Sequence, residues 1–149
     1  MIEPEWFERM EIIGKFGTAF VEYLRQNPIG RAGVAGDFHP ENDSQTVYSF
    51  DVAVVLVVNK HATGEDAAPF MPDIAVDVQR PNERLKPMLD RAKDYLANGV
   101  RVVILIYPAK RIVEMLTPDM SDLFIENDTL TLDLLPGFAV PIKSLFSGV

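Results

Sequence analysis

Asp73-Ile74-Ala75-Val76-Asp77-Val78-Gln79, with Pro72 before it and Pro81-Asn82 after it, is the stretch on which the fold turns. Polar and apolar residues alternate along it, which predicts a β-strand, and proline closes it. Residues two apart share one face of a strand, so Asp73, Asp77 and Gln79 are expected to point the same way. Upstream, Val47 to Val58 is β-branched and apolar around one carboxylate, Asp51. A continuous run of this kind suits a central strand buried on both faces. Burying an unpaired charge costs several kcal/mol, so Asp51 there needs a partner, a proton or a metal. The plainer alternative leaves Asp51 solvated at the strand's start. If the two strands pair, Asp51 and Asp77 converge into a hard-oxygen site suited to Mg²⁺.

Working outward, Phe7, Met10, Ile13, Phe16, Phe20 and Leu24 recur at spacings of three and four, predicting a helix from about Trp6 to Gln26. Asn27-Pro28 and Gly30 end it. Gly30, Gly33 and Gly36 follow a helix, whereas a dinucleotide loop follows a strand, so they mark a short edge strand and its turn instead. His39 and His61 fall in two different polar loops and are expected at the solvent. A second helix carries Leu85, Met88, Leu89, Ala92, Tyr95 and Leu96 on one side, its regular part beginning near Pro87 and ending at Asn98-Gly99. Its sheet-facing stripe is expected to be Leu85, Leu89, Ala92 and Leu96, with Arg91 and Tyr95 at the margin. Arg91 is expected to face Asp51 and Asp77, pairing with both when no metal is bound, and Lys93 to point toward solvent or phosphate. Val100 to Tyr107 is a buried strand and Arg111 to Leu116 its neighbour. Asn127-Asp128 reads as a two-residue hairpin joining Leu123-Phe124-Ile125 to Leu130-Thr131-Leu132. Leu135-Pro136-Gly137-Phe138 reads as a turn before the C-terminal apolar stretch. The pattern is one α/β domain over residues 1–149.

Composition narrows the functions. The 149 residues contain no cysteine, which excludes disulfides, thiolate metal sites and cysteine nucleophiles. The N-terminus is acidic and the longest apolar run, Val52 to Val58, is far below the roughly 20 residues of a membrane span, so a cytoplasmic protein is expected. A net charge of −8 argues against generic nucleic-acid binding. The charge is uneven, however: Arg80 to Arg111 holds eight basic and three acidic residues.

The order of these pieces resembles the Uma-two endonuclease family of the PD-(D/E)XK nuclease superfamily. The matching residues are Phe50-Asp51-Val52, Pro72 through Asp77-Val78-Gln79-Arg80-Pro81, Arg91 with Tyr95, Gly99-Val100, Val103 to Pro108, and Leu135-Pro136-Gly137-Phe138 through Ile142 to Leu145-Phe146. The resemblance implies a restriction-endonuclease-like mixed sheet flanked by helices. It also implies catalytic roles for Asp51, Asp77, Gln79 and Arg91, and a metal, Mg²⁺ or Mn²⁺, held by Asp51, Asp77 and the Val78 carbonyl. Arg91 stands where the family's helical lysine would orient water, and Gln79 where the superfamily's strand lysine stood. Glu22 is a candidate for a second metal. The basic Arg80–Arg111 segment is the expected place of DNA contact, and a homodimer is expected from the resemblance together with a chain short for its class and rich in apolar edge candidates.

The sequence departs from the family pattern at four places: Asp77 for glutamate, Arg91 for lysine, Phe50 for proline before Asp51, and Arg80 for serine before Pro81. The expected function is therefore a Mg²⁺-dependent nuclease-like protein with a degenerate site. The rival readings are a non-cutting binding or regulatory protein on the same fold, and a metal-dependent hydrolase of another phosphate ester.

Overall fold

Sheet order follows chain order in the computed structural model, which describes residues 4–56 and 67–146. Six strands lie side by side: β1 (Arg31–Phe38), β2 (Tyr48–Val55), β3 (Ile74–Val78), β4 (Val102–Tyr107), β5 (Ile112–Leu116) and β6 (Ser121–Phe124). Every pairing is antiparallel except β3 with β4. Parallel strands need a crossover. Helix α2 (Leu85–Ala97) provides it. Pro87 is its third residue, within the first turn, where a backbone N–H has no intrahelical partner to lose.

Alternation sends side chains to two cores. Val52, Val54, Ile74, Val76, Val102, Ile104 and Ile106 face one side, where they meet helix α1 (Pro4–Gln26), α3 (Ile142–Phe146) and the hairpin β7 (Thr129–Leu132)–β8 (Leu135–Pro141). Ala53, Ala75, Val103 and Leu105 face the other, against Met88, Ala92 and Tyr95 of α2. Phe50 departs from the alternation and joins the α2 side, its ring 4.7 Å from that of Tyr95.

Both helices are rotated from their expected faces. In α1, Arg9, Ile12, Phe16, Phe20 and Leu24 are buried, while Phe7 and Met10 are exposed. In α2 the buried set is Met88, Ala92 and Tyr95, and Leu85 is exposed. The expected Asn127-Asp128 hairpin does not form. Instead β6 pairs back on β5, and β7 pairs with β8 in a separate sheet. The Asp128 carboxylate accepts from the Ile125 N–H at 2.8 Å, and the Asp128 carbonyl accepts from the Ile142 N–H at 3.0 Å. That turn thus carries the chain from one layer to the other, where Leu130, Leu132 and Leu135 are buried. Leu135 to Phe138, expected as a turn, opens β8; Phe138 stacks on Phe20 at 4.8 Å. His39 is buried, its Nδ1 2.7 Å from the Pro40 carbonyl, rather than at the solvent. His61 lies outside the described residues.

Candidate active site

Asp51 and Asp77 lie on antiparallel neighbours, one position beyond the Val52–Val76 pair. The Asp51 N–H donates to Asp77 Oδ1 at 3.3 Å, and the Val78 N–H donates to Asp51 Oδ2 at 2.8 Å. Strand pairing alone therefore brings the two carboxylates together. Tyr95, reaching down from α2, donates its hydroxyl to Asp77 Oδ2 at 2.9 Å. Asp77 is 7 % exposed. Burial and then the negative charge of Asp51 push its pKa up, against the Tyr95 hydrogen bond and the Arg91 charge, which lower it. The Tyr95 phenol is pushed up in turn, by burial and by Asp77.

The cation on Asp51 comes from α1. Arg9 Nη2 donates to both Asp51 oxygens at 2.8 Å, and Arg9 Nε donates to the Val78 carbonyl at 3.0 Å. The guanidinium also lies 6.0 Å from the Trp6 ring centre. Sequence reasoning missed Arg9, although a signal was present: residues 9, 12, 16, 20 and 24 make an unbroken helical stripe with one charge in it. A charge in a buried stripe calls for a buried partner.

Arg91 lines the same cleft as the two acids but holds neither of them; its Nη2 donates to Glu83 at 2.6 Å. Glu83 carries a lowered pKa: burial raises it most, but the Arg80 N–H and the Arg91 guanidinium together outweigh that. Gln79 turns away from the acid pair, its amide donating to the Glu83 carbonyl at 2.9 Å. Lys93 is exposed. Glu22, expected near a second metal, pairs with Arg25 at 3.2 Å on an exposed part of α1. Thirteen residues of helix, about 20 Å, separate it from Arg9.

The cleft holds about 540 Å³ and includes Arg9, Asp51, Asp77, Arg80, Arg91 and Tyr95 in its walls. A groove of about 510 Å³, sharing Arg80 and Glu83, adds Lys110 and Arg111. Among the described residues no group of three or more His, Asp or Glu side chains is arranged to hold a metal. A cation here would take its third protein donor from the backbone, where the Val78 carbonyl lies against the same guanidinium as Asp51. Two carboxylates and a carbonyl form a hard-oxygen set that suits Mg²⁺ or Mn²⁺. Arg9 stands on three of those oxygens as a cation.

A mixed six-stranded sheet flanked by helices, with an acid pair across adjacent strands in a cleft that also holds Arg9, Arg80 and Arg91, defines a nuclease-like fold. The Uma2 (Uma-two) family, described as "Putative restriction endonuclease", matches residues 1–143, and the chain belongs to it. The structure is also similar to a crystal structure described as "a putative nuclease belonging to DUF820 from Anabaena variabilis ATCC 29413". The TM-score is 0.82 at 14 % identity, over 93 % of this chain and 80 % of that one. No curated protein matches the chain. No helix among the described residues is long and apolar enough to cross a membrane.

Proposed function

We propose that this chain is a phosphodiester-hydrolysing, Mg²⁺- or Mn²⁺-dependent nuclease with a weakened site. The observation that carries the reading is the convergence of Asp51, Asp77 and the Val78 carbonyl in a cleft walled by Arg80 and Arg91. Those three donors would hold the cation, which when bound supplies an activated water and neutralises charge on the phosphate. The chain's own residues do the rest. Arg80, Lys110 and Arg111 line connected grooves and bind the sugar-phosphate backbone, so DNA contact is local although the net charge is −8. Arg91, fixed by Glu83, stabilises charge on the phosphoryl oxygens as a planar donor. Gln79 has no proton to exchange; its hydrogen bond to the Glu83 carbonyl positions Glu83, and Glu83 positions Arg91.

Two substitutions weaken the chemistry. Asp77 is one methylene shorter than the glutamate it replaces, and misplacement of about 1 Å can cost about a hundredfold in rate. Arg91 stays protonated and cannot act as a base, where lysine can. A cytoplasmic homodimer completes this reading. The test is cleavage of varied DNA and RNA in Mg²⁺ and Mn²⁺, with Asp51→Ala as control. Metal-dependent cleavage lost in the control supports the reading; intact substrates in both metals overturn it in favour of a non-cutting binding protein.

A further inference from the structure

Arg9 occupies the oxygens that a metal would need. Its guanidinium covers both oxygens of Asp51 and the carbonyl of Val78, leaving only Asp77 of the proposed donors outside its reach. We infer that Arg9 is the resting cation of this site, and that guanidinium and divalent metal occupy it in turn and never together. The inference rests on the metal-binding reading above.

Three features support exclusion. The contacts are short and charge-assisted, and both side chains are largely enclosed, at 10 % and 18 % exposure for Arg9 and Asp51. A second cation brought to the same three oxygens would stand within a few ångströms of the guanidinium, where like charges repel strongly in a site of low dielectric. Among the described residues Arg9 is the one cation in an ion pair with Asp51: Arg91 is spent on Glu83 at 2.6 Å, and Arg101 faces Asp73 at 4.0 Å. Displaced, Arg9 stays in the cleft that also holds Arg80 and Arg91, where an anionic phosphodiester gives it a new partner. A metal therefore binds only the fraction of molecules in which Arg9 has left. If Arg9 holds the site in about 99 % of molecules, the apparent affinity is weakened about a hundredfold.

The experiment is Mn²⁺ binding by electron paramagnetic resonance to the full chain and to Arg9→Met and Arg9→Gln, with circular dichroism to establish folding. Both variants are expected to bind Mn²⁺ about a hundredfold more tightly than the natural chain. Equal, measurable affinity in all three overturns the inference and leaves the metal-binding reading intact, Arg9 then serving only to tether α1. Absence of Mn²⁺ binding from all three folded proteins overturns the metal-binding reading, and the inference falls with it. Should the variants fail to fold alone, folding restored by millimolar Mn²⁺ supports the exchange, and folding that Mn²⁺ does not restore overturns it.

Discussion

Replacing Asp51 by asparagine keeps the shape of the side chain and removes the charge that holds Arg9. Asparagine retains one acceptor oxygen, so it can still accept from the Val78 N–H or from Arg9, but not as a charged, two-oxygen partner. Removing one member of a buried ion pair costs about 3–5 kcal/mol, because the other charge stays buried and uncompensated. Two features place this substitution near the low end, about 3 kcal/mol: Asp51 is 18 % exposed, and its loss relieves the repulsion on Asp77. In a domain of this size each kcal/mol lowers Tm by about 2–4 °C, so a fall of about 6–12 °C is expected. The assay is thermal and urea unfolding of Asp51→Asn, Arg9→Met and the double variant at pH 7. The double variant removes both charges and is expected to lose clearly less than the two singles added together. An unchanged urea midpoint for Asp51→Asn, or strict additivity, would refute the argument that this pair is a coupled buried unit.

Asp77→Asn should do the opposite. Its pKa is raised in the folded protein, so the ionised form is penalised increasingly from the ordinary carboxylate value up to the raised one, and constantly above it. The stability of Asp77→Asn relative to the natural chain should therefore rise with pH across that window; a relative stability that falls with pH contradicts the assignment. Tyr95→Phe removes the hydroxyl that favours ionised Asp77, which should raise the Asp77 pKa further, measurable by NMR titration of its carboxyl carbon, at a stability cost of about 1–2 kcal/mol. Gly30→Ala should cost about 2 kcal/mol or more in urea unfolding, since a Cβ there would come 2.3 Å from the Val55 carbonyl oxygen, and backbone cannot step aside. Arg91→Lys should raise metal-dependent cleavage, because lysine restores a group able to share a proton; unchanged rates would reduce Arg91 to a surface residue.

Much of this arrangement was legible from residue order. The apolar runs of β2, β3 and β4 are long enough, and β-branched enough, to announce buried strands, and a carboxylate within each of two of them pointed to their pairing. Helix rotation was harder. Phe7 and Met10 continue the spacing of Phe16 and Phe20 as well as Arg9 and Ile12 do, and only the packing surface offered by β1, β2 and β3 selects between the two stripes. That choice hid Arg9, and with it the partner of Asp51. The 125–128 turn misled for a related reason: Asn-Asp between apolar triplets fits a hairpin locally, yet Leu130, Leu132 and Leu135 are buried in the core that α1 and α3 share, in the second layer. Nothing local encodes which layer a strand joins. The orientation of Gln79 was equally out of reach, because β3 ends at Val78 and the period of two ends with it.

The contact between Arg9 and the Val78 carbonyl spans 69 residues of chain, and this separation orders events on the ribosome. Helix α1 is made first, but the strand it must lie against is made last of the three that it covers. At about 5–20 residues per second, β3 follows Arg9 by roughly 3–14 s. Until the β1–β2 hairpin is made, Phe16, Phe20 and Leu24 have no sheet to cover, and until β3 is made that sheet lacks its third strand, so α1 stays an incompletely covered amphipathic segment open to chaperones. The hairpin that stacks Phe138 on Phe20 is later still. Strands β1 to β6, each paired with its predecessor, can zip in the order of synthesis. Arg9 cannot meet its full set of partners until Val78 has been made, so the buried ion pair closes only with β3 in place.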